Sequence, residues 1–154
     1  MRTHPRVQKG GGAMPLSVED SFKLQRLYAE YVQFFDKGDR DGWLDLFTDD
    51  LVYRIVPRNA TGDWSEPTEL HGRQALADYW DYRKDMYEGR ARHFSTDVIF
   101  DGDGDQATGR AHSMVVLAKA GGPEFRITGV MEDELRRDPA GRWRFKSRTA
   151  HPDL

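Results

Sequence analysis

The spacing of apolar residues ahead of Gly38 predicts a helix. These residues recur at intervals of three and four positions, as they do on one face of an α-helix: Leu24, Leu27, Tyr28, Tyr31 and Phe35. Ser17, three residues before Asp20, resembles a capping box that starts a helix. We therefore expect a first helix over Val18–Phe35 that ends near Gly38, and a short second helix over 41–46.

The next part of the chain changes from a strand pattern to a loop and then to a helix. The β-branched, alternating stretch Leu51–Val56 predicts a strand that ends at Pro57. Residues 58–70 are polar and are expected to form a loop. The periodic stretch Gly72–Glu88 predicts a third helix, for which Gly89 is a suitable C-cap.

The pattern after Gly89 is typical of strands. Turn sequences rich in Gly, Asp and Pro separate four strand-like segments: Arg90–Phe100, Gln106–Ala118, Glu124–Arg137 and Arg142–Ala150. Such segments favour an antiparallel meander. Helices followed by strands predict an α+β fold, a cone-shaped barrel whose curved antiparallel sheet wraps around the N-terminal helices. The open mouth of such a cone is a natural ligand pocket.

Composition and charge narrow the classes of protein. The chain of 154 residues predicts a single domain over 17–154, preceded by a disordered tail or tag over 1–16. The net charge of −3, without a basic block, argues against nucleic-acid binding. The absence of cysteine excludes disulfides and thiolate sites and favours a cytoplasmic location. No apolar run approaches the ~20 residues that cross a bilayer, so no membrane association is expected.

Candidate chemistry lies in two strand histidines and the end of the first helix. The unperturbed histidine side chain exchanges protons near neutral pH, and a pocket that joins His93 and His112 to Tyr31 and Asp36 supports acid–base chemistry without a cofactor. Tyr31 and Asp36 are about 140° apart on an ideal helix, so they meet only if the helix ends or loosens near Phe35. Each histidine has the alternative of a purely structural role in the core.

Metal binding is not favoured by the sequence. Two His and one Asp form the donor set of a facial triad, but no short ligand spacing such as His-x-His occurs. The acidic stretch Asp101–Asp105 resembles a calcium loop, yet His112 stands at the twelfth position, which requires Glu. We expect a turn there, and neither a metal nor a cofactor.

Motifs along most of the chain resemble the nuclear-transport-factor-two-like superfamily, in particular its SnoaL-like branch. They are Tyr28–Asp50, Arg92-His93, Gly104–Ala107 and Asp133–Arg148. This superfamily includes scytalone dehydratase, bile-acid dehydratase, ketosteroid isomerase, polyketide cyclases and limonene epoxide hydrolase. It also includes carriers without chemistry and the β subunits of ring-hydroxylating dioxygenases, to which Tyr53–Arg58 is similar. The resemblance implies the cone-shaped α+β fold.

The resemblance also implies roles for particular residues. Asp36, His93 and His112 are similar in position to the Asp and the two histidines of scytalone dehydratase, in which a Tyr stands at the place of Phe35. Tyr31 instead resembles the Tyr of the bile-acid dehydratase. The substrate of scytalone dehydratase cannot be inferred for this chain, because two polar residues of that enzyme, a serine and an asparagine, fall near Val130 and Glu132 here. Other substrate contacts are expected from these residues: Phe35, Tyr53, Trp80, Met114, Val130, Glu132 and Arg148, the last of them at the pocket mouth.

The leading hypothesis is a cofactor-independent dehydratase, isomerase or cyclase. Its substrate is a small hydrophobic oxygenated metabolite such as a polyketide, steroid or terpenoid intermediate. His93 with Asp36 would remove a proton, and Tyr31 and His112 would donate to the carbonyl or departing hydroxyl.

Two alternative functions remain open, and the chain is expected to form a homo-oligomer. The first alternative is a β-subunit-like scaffold or ligand carrier. The second, epoxide hydrolysis, needs an Asp-Arg-Asp set from Asp36, Arg110 and Asp97, which strand alternation places poorly. A homodimer or homotrimer is expected, because the convex face of such a sheet is usually too apolar to stay exposed to water.

Overall fold

Helices and strands of the computed structural model follow the predicted order. The structure describes residues 15–59, 61, 68–84 and 90–153. Its elements are α1 (Val18–Lys37), α2 (Arg40–Leu44), β1 (Phe47–Ile55), β2 (Thr68–His71), α3 (Gly72–Arg83), β3 (Ala91–Asp103), β4 (Gln106–Leu117), β5 (Glu124–Arg137) and β6 (Trp143–Asp153). Within the described ranges, none of the helices has both the length and the apolar character that crossing a membrane requires.

The first helix has the caps that its sequence predicts. The Ser17 side chain accepts a hydrogen bond from the backbone N–H of Asp20 at 3.0 Å. At the other end Gly38 adopts the left-handed conformation, with φ 76°, and its N–H donates to the carbonyls of Phe34 and Phe35. The helix stays regular past Phe35 and does not loosen there, so the turn of chain that carries Asp36 is rigidly α-helical.

The strands form one curved, unclosed sheet in the order β2-β1-β6-β5-β4-β3. The last four strands form the predicted antiparallel meander. The α+β prediction is confirmed, with two differences: β1 runs parallel to β6, and the described edge strands do not close a barrel. Helices α1, α2 and α3 and strands β1 and β3–β6 share one continuous apolar core.

Part of the predicted loop over 58–70 is a strand. Thr68–His71 pairs antiparallel with β1, Val52 standing opposite His71. Its sequence, Thr-Glu-Leu-His, has no apolar alternation, so the pairing depends on β1 rather than on local pattern. Of the tail predicted over 1–16, residues 1–14 lie outside the described residues, as do 60 and 62–67 of the loop and 85–89 at the predicted helix end. Pro15 and Leu16 are not a disordered tail, because Pro15 forms a β-bridge with Asp103 and Leu16 packs against the core.

A β-bulge in β3 changes which side chains face the helices. Asp97 has a positive φ of 55°, and the pairing shifts from Thr96–His112 to Ile99–Arg110. Residues 97 and 98 therefore stand opposite a single residue of β4, as in a bulge. Without this extra residue every side chain before the bulge would point to the other face.

The bulge interrupts the alternation of β3. Unbroken alternation would place His93, Ser95 and Ile99 on one face and Val98 on the other. Before the bulge His93 and Ser95 face the helices. After it Val98 packs against the core, whereas Ile99 is 67% exposed on the outer face.

A buried ion pair joins β5 to β6 beneath α1. Arg148 Nε and Nη2 each donate to Asp133 at 2.7 Å, and both side chains are fully buried. The Tyr28 hydroxyl also donates to Asp133. The guanidinium lies over the rings of Tyr31 and Phe145, at 4.0 and 4.1 Å from their centroids. Arg148 therefore lies in the core, and the expectation that it reaches the pocket mouth is wrong.

Electrostatics keep this cluster in one protonation state. Burial opposes the charge of Arg148, but the Asp133 carboxylate outweighs it and holds the pKa of Arg148 above its usual value. Burial first, and then the charge of Asp133, raise the pKa of Tyr28. At neutral pH Arg148 is therefore charged and Tyr28 is protonated, and both donate hydrogen bonds that hold the sheet and helix together.

Replacement of Arg148 by Met should destabilise the fold by about 3–5 kcal/mol, because it leaves Asp133 charged and buried without its partner. Urea unfolding measures this cost. The matched control is Arg136→Met, which breaks an exposed pair with Asp50 and should cost at most about 1 kcal/mol. Equal costs for the two variants would contradict a structural role for the buried pair.

Candidate active site

A cavity of about 250 Å³ opens between α1, the end of α3 and the inner face of the sheet. At ~30 Å³ per molecule this is room for about eight waters. Most of its lining is apolar and includes Val32, Ile55, Val115 and Met131. A few polar side chains interrupt it: Tyr31, Tyr53, Tyr79, Arg83, His93, Ser95, Ser113, Thr128 and His151. Such a lining suits a small, mainly apolar molecule that carries oxygen atoms.

His93 lines this cavity, and Asp36, which does not line it, forms two hydrogen bonds with His93. Asp36 Oδ1 lies 2.6 Å from His93 Nδ1, and Asp36 Oδ2 accepts the backbone N–H of His93 at 3.0 Å. The two side chains are only 14% and 16% exposed. A carboxylate accepts hydrogen bonds and does not donate them, so a neutral ring in this contact carries its hydrogen on Nδ1 and its lone pair on Nε2. This is the arrangement of an oriented general base.

The position of Asp36 opposes the local helix electrostatics. It lies in the last turn of α1, where the negative end of the helix dipole disfavours a carboxylate. The two hydrogen bonds from His93 offset that cost. Phe35, the preceding residue, packs its ring against the imidazole at 4.9 Å between centroids. The end of α1 therefore fixes His93 by both a charged and an aromatic contact.

Two tyrosines from different elements meet at the cavity wall. The hydroxyls of Tyr31, on α1, and Tyr53, on β1, lie 3.1 Å apart and share a hydrogen bond. Burial, followed by the neighbouring Tyr31 and Tyr79, raises the pKa of Tyr53 well above its usual value. Tyr53 therefore stays protonated at neutral pH, so the pair keeps a proton that it can donate to an oxygen in the cavity.

His112 does not lie in the cavity. Its side chain is 60% exposed on the outer face of the sheet, where Nδ1 lies 3.3 Å from Asp97 Oδ2. That contact is the main cause of the lowered pKa of Asp97. Thr96 on β3 and Val130 on β5 pair directly with His112 and lie on the same outer face. The expectation that both histidines share a pocket is wrong, because strand alternation gives Ser113 and Ala111, not His112, the inner face.

The other expected substrate contacts divide between the two faces. Phe35, Tyr53 and Met114 are among the lining residues. Val130 lies on the outer face beside His112, and so does Glu132, which lies 3.1 Å from the His151 ring. Trp80 is 2% exposed and packs at 4.6 Å against Phe35, so it supports the wall without lining it.

Six polar lining residues are absent from the expected site residues: Tyr79, Arg83, Ser95, Ser113, Thr128 and His151. Ser95 lies two positions after His93 on the same face of β3, so its place follows from alternation alone. Ser113 stands directly opposite Ser95 on β4, a pairing that depends on the bulge and has no local signal. Tyr79 belongs to the periodic face of α3 and contacts the ring of Tyr53 at 5.7 Å. The periodicity of α3 was the available signal for it.

Metal ligands do not gather in the described part of the chain. Within residues 15–59, 61, 68–84 and 90–153, no three or more His, Cys, Asp or Glu side chains cluster as a metal site. Cofactor-independent chemistry stays a prediction.

Comparisons with known proteins add a family and a set of similar folds. The model of the SnoaL-like domain family matches residues 17–149. A solved structure of a variant of Rv3472, a protein of unknown function from Mycobacterium tuberculosis, is 31% identical, covering 88% of this chain and 72% of that one with a TM-score of 0.73. No match was found among curated proteins.

Two proteins from Novosphingobium aromaticivorans have similar folds. The first, described as NTF2-like with a cystatin-like fold, is 28% identical over 87% of this chain and 82% of that one, with a TM-score of 0.71. The other is named as the beta subunit of an aromatic-ring-hydroxylating dioxygenase. It is 23% identical over 90% of this chain and 93% of that one, also with a TM-score of 0.71. The latter likeness shows the fold alone.

Replacement of Asp36 by Ala should cost about 1.5–3 kcal/mol of folding stability, because it removes the charged hydrogen bonds that join α1 to β3. It should also speed hydrogen exchange at the His93 amide, as measured by NMR. Asp41→Ala is the control, since that side chain is 96% exposed, and it should change stability by less than about 0.5 kcal/mol. Unchanged protection of the His93 amide would refute the contact.

Proposed function

Since the chain belongs to the SnoaL-like domain family, within the nuclear-transport-factor-two-like superfamily, we propose that it is a cofactor-independent acid–base enzyme. Its substrate would be a small, hydrophobic, oxygenated molecule. One observation carries the proposal: His93 lines a mostly apolar cavity, while its Nδ1 lies 2.6 Å from Asp36 Oδ1. A partly buried histidine held in that orientation is well suited to take a proton.

The proposed first step is removal of a proton from a carbon next to a carbonyl group. His93 Nε2 takes the proton, and the C–H electron pair forms a carbon–carbon double bond as the carbonyl becomes an enolate. The Asp36 carboxylate stabilises the imidazolium that results, because their 2.6 Å contact becomes a charge-assisted hydrogen bond. This step begins dehydrations, isomerisations and aldol-type cyclisations alike.

The tyrosine pair supplies the acid. Tyr31 and Tyr53 stand on the wall formed by α1 and β1, and their shared hydrogen bond leaves one hydroxyl hydrogen for another acceptor. That hydrogen would protonate a departing hydroxyl group or the carbon at the far end of the enolate. Polyketide, steroid and terpenoid intermediates carry the required carbonyl and hydroxyl groups on apolar frames.

The scaffold alternative rests on the outer face of the sheet. Large apolar side chains are exposed there, namely Ile99 at 67% and Phe125 at 72%. A similar fold occurs in the dioxygenase beta subunit. An open cavity favours the enzyme, since a scaffold gains stability by filling its interior with side chains. We propose that this outer face joins copies of the chain in a homodimer or homotrimer.

Removal of the proposed base tests the enzymatic proposal. β-Tetralone, a bicyclic aromatic ketone with acidic C–H bonds beside its carbonyl, serves as the probe. The wild-type protein should accelerate exchange of these hydrogens for deuterium, followed by NMR. His93→Ala should slow the protein-catalysed exchange by about 10²-fold or more, because the general base is absent.

Controls separate chemistry from folding. His71→Ala alters a histidine outside the cavity that pairs with Glu69 at the sheet edge, and it should exchange the probe as fast as wild type. Circular dichroism checks that the His93 variant is folded. A folded His93→Ala protein with wild-type exchange would remove His93 from the mechanism.

Replacement of Phe125 by Glu tests the proposed assembly. Sedimentation velocity should show a dimer or trimer for the wild type and a monomer for the variant, because a buried charge opposes association. Phe22→Glu, on the exposed surface of α1, is the matched control and should leave the mass unchanged. A monomeric wild type would contradict the assembly.

A further inference from the structure

Two serine hydroxyls face the cavity from neighbouring strands. Ser95 on β3 stands directly opposite Ser113 on β4, and both line the cavity. In the part of the chain that the structure describes, neither hydroxyl forms a hydrogen bond to another protein group. Directly opposed residues of an antiparallel pair have Cβ atoms about 4.5–5.5 Å apart, so a single acceptor atom can contact both hydroxyls.

The pair lies beside the proposed base. Ser95 is two residues from His93 on the same face of β3, which separates them by about 7 Å along the strand. Val115, opposite His93, is apolar. The row from Ser95 through Ser113 continues into Gly129, where the backbone of His151 and Pro152 on β6 leaves no space for a Cβ. The hydroxyl pair is thus a polar patch with His93 at one side and apolar neighbours elsewhere.

We propose that Ser95 and Ser113 form a carbonyl-binding subsite and determine specificity for ketone substrates. This inference rests on the proposed function and deepens it. Hydroxyls in a mainly apolar cavity gain free energy when a ligand oxygen accepts their hydrogens. One carbonyl oxygen held by both hydroxyls has its α-carbon on the side of His93. The subsite thus selects molecules whose acidic C–H lies next to a carbonyl.

The hydroxyl pair also serves the reaction step. As His93 Nε2 takes the α-proton, the carbonyl π electrons move to oxygen, and two O–H donors stabilise the enolate charge. In a dehydration the carbonyl then re-forms, the bond to a β-hydroxyl breaks, and the tyrosine pair supplies the proton that makes it water. The proton on His93 returns through solvent to the tyrosines, which restores the starting protein.

The test compares two probes of equal shape. β-Tetralone carries a C=O, and its methylene isostere carries a C=CH₂ at the same place. Calorimetric titration of the wild type should show about tenfold tighter binding of the ketone, the net effect of two neutral hydrogen bonds. The double variant Ser95→Ala with Ser113→Ala should bind both probes equally. Ser147→Ala, a serine on the outer face of β6, should keep the wild-type preference.

A spectroscopic readout separates contact from general disturbance of the fold. Hydrogen bonds weaken a C=O bond, so the infrared stretch of bound β-tetralone should lie at lower frequency in wild type than in the double variant. The single variants should lie between. Equal frequencies in wild type and double variant would overturn the inference, as would a wild type that binds neither probe or does not prefer the ketone.

Failure of the proposed function is distinguishable from failure of the subsite. His93→Ala should keep the ketone preference and the shifted carbonyl stretch, although its deuterium exchange is lost. A wild type that shows both binding signals but no exchange would retain the subsite and reject the acid–base proposal. Exchange that persists in wild type without any ketone preference would reject the subsite alone.

Discussion

The paired hydrogen bonds between Asp36 and His93 are the constraint on which the site depends. They connect the last turn of α1 to the inner face of β3, at the wall of the cavity. One carboxylate oxygen fixes the backbone and the other fixes the ring, so the imidazole has a single orientation and a defined tautomer. Positioning by rigid elements rather than by loops is what a proton-transfer site requires.

The chain uses carboxylates in two different ways. Asp133 is sealed beneath α1 with Arg148 and Tyr28, where complete burial and full pairing make it structural. Asp36 instead borders the cavity through His93, the residue that would take up a proton in the proposed reaction. Separation of the two networks would let the fold stay stable during that proposed proton transfer.

Particular residues show how far sequence reasoning reached. The caps at Ser17 and Gly38 and the apolar period of α1 are local signals, and they predicted the helix well. The inner or outer face of a strand residue is not local, because one bulge at Asp97 reverses it. The bulge cannot be read from the sequence, so His112 was expected in the cavity. Its pairing with Thr96 and Val130 instead places its side chain on the outer face of the sheet. The sequence also could not show that Arg148 is buried, since its partner Asp133 lies on the neighbouring strand and their pairing depends on the register of β5 and β6.

A crystal structure of the complex with β-tetralone tests the central claim most directly. The account predicts the ketone in the cavity, with its carbonyl oxygen between Ser95 and Ser113. Its α-carbon should lie about 3–3.5 Å from His93 Nε2, while Asp36 keeps its contact with Nδ1. A probe bound elsewhere, or a His93 ring turned away from the ligand with its Asp36 contact broken, would contradict the account.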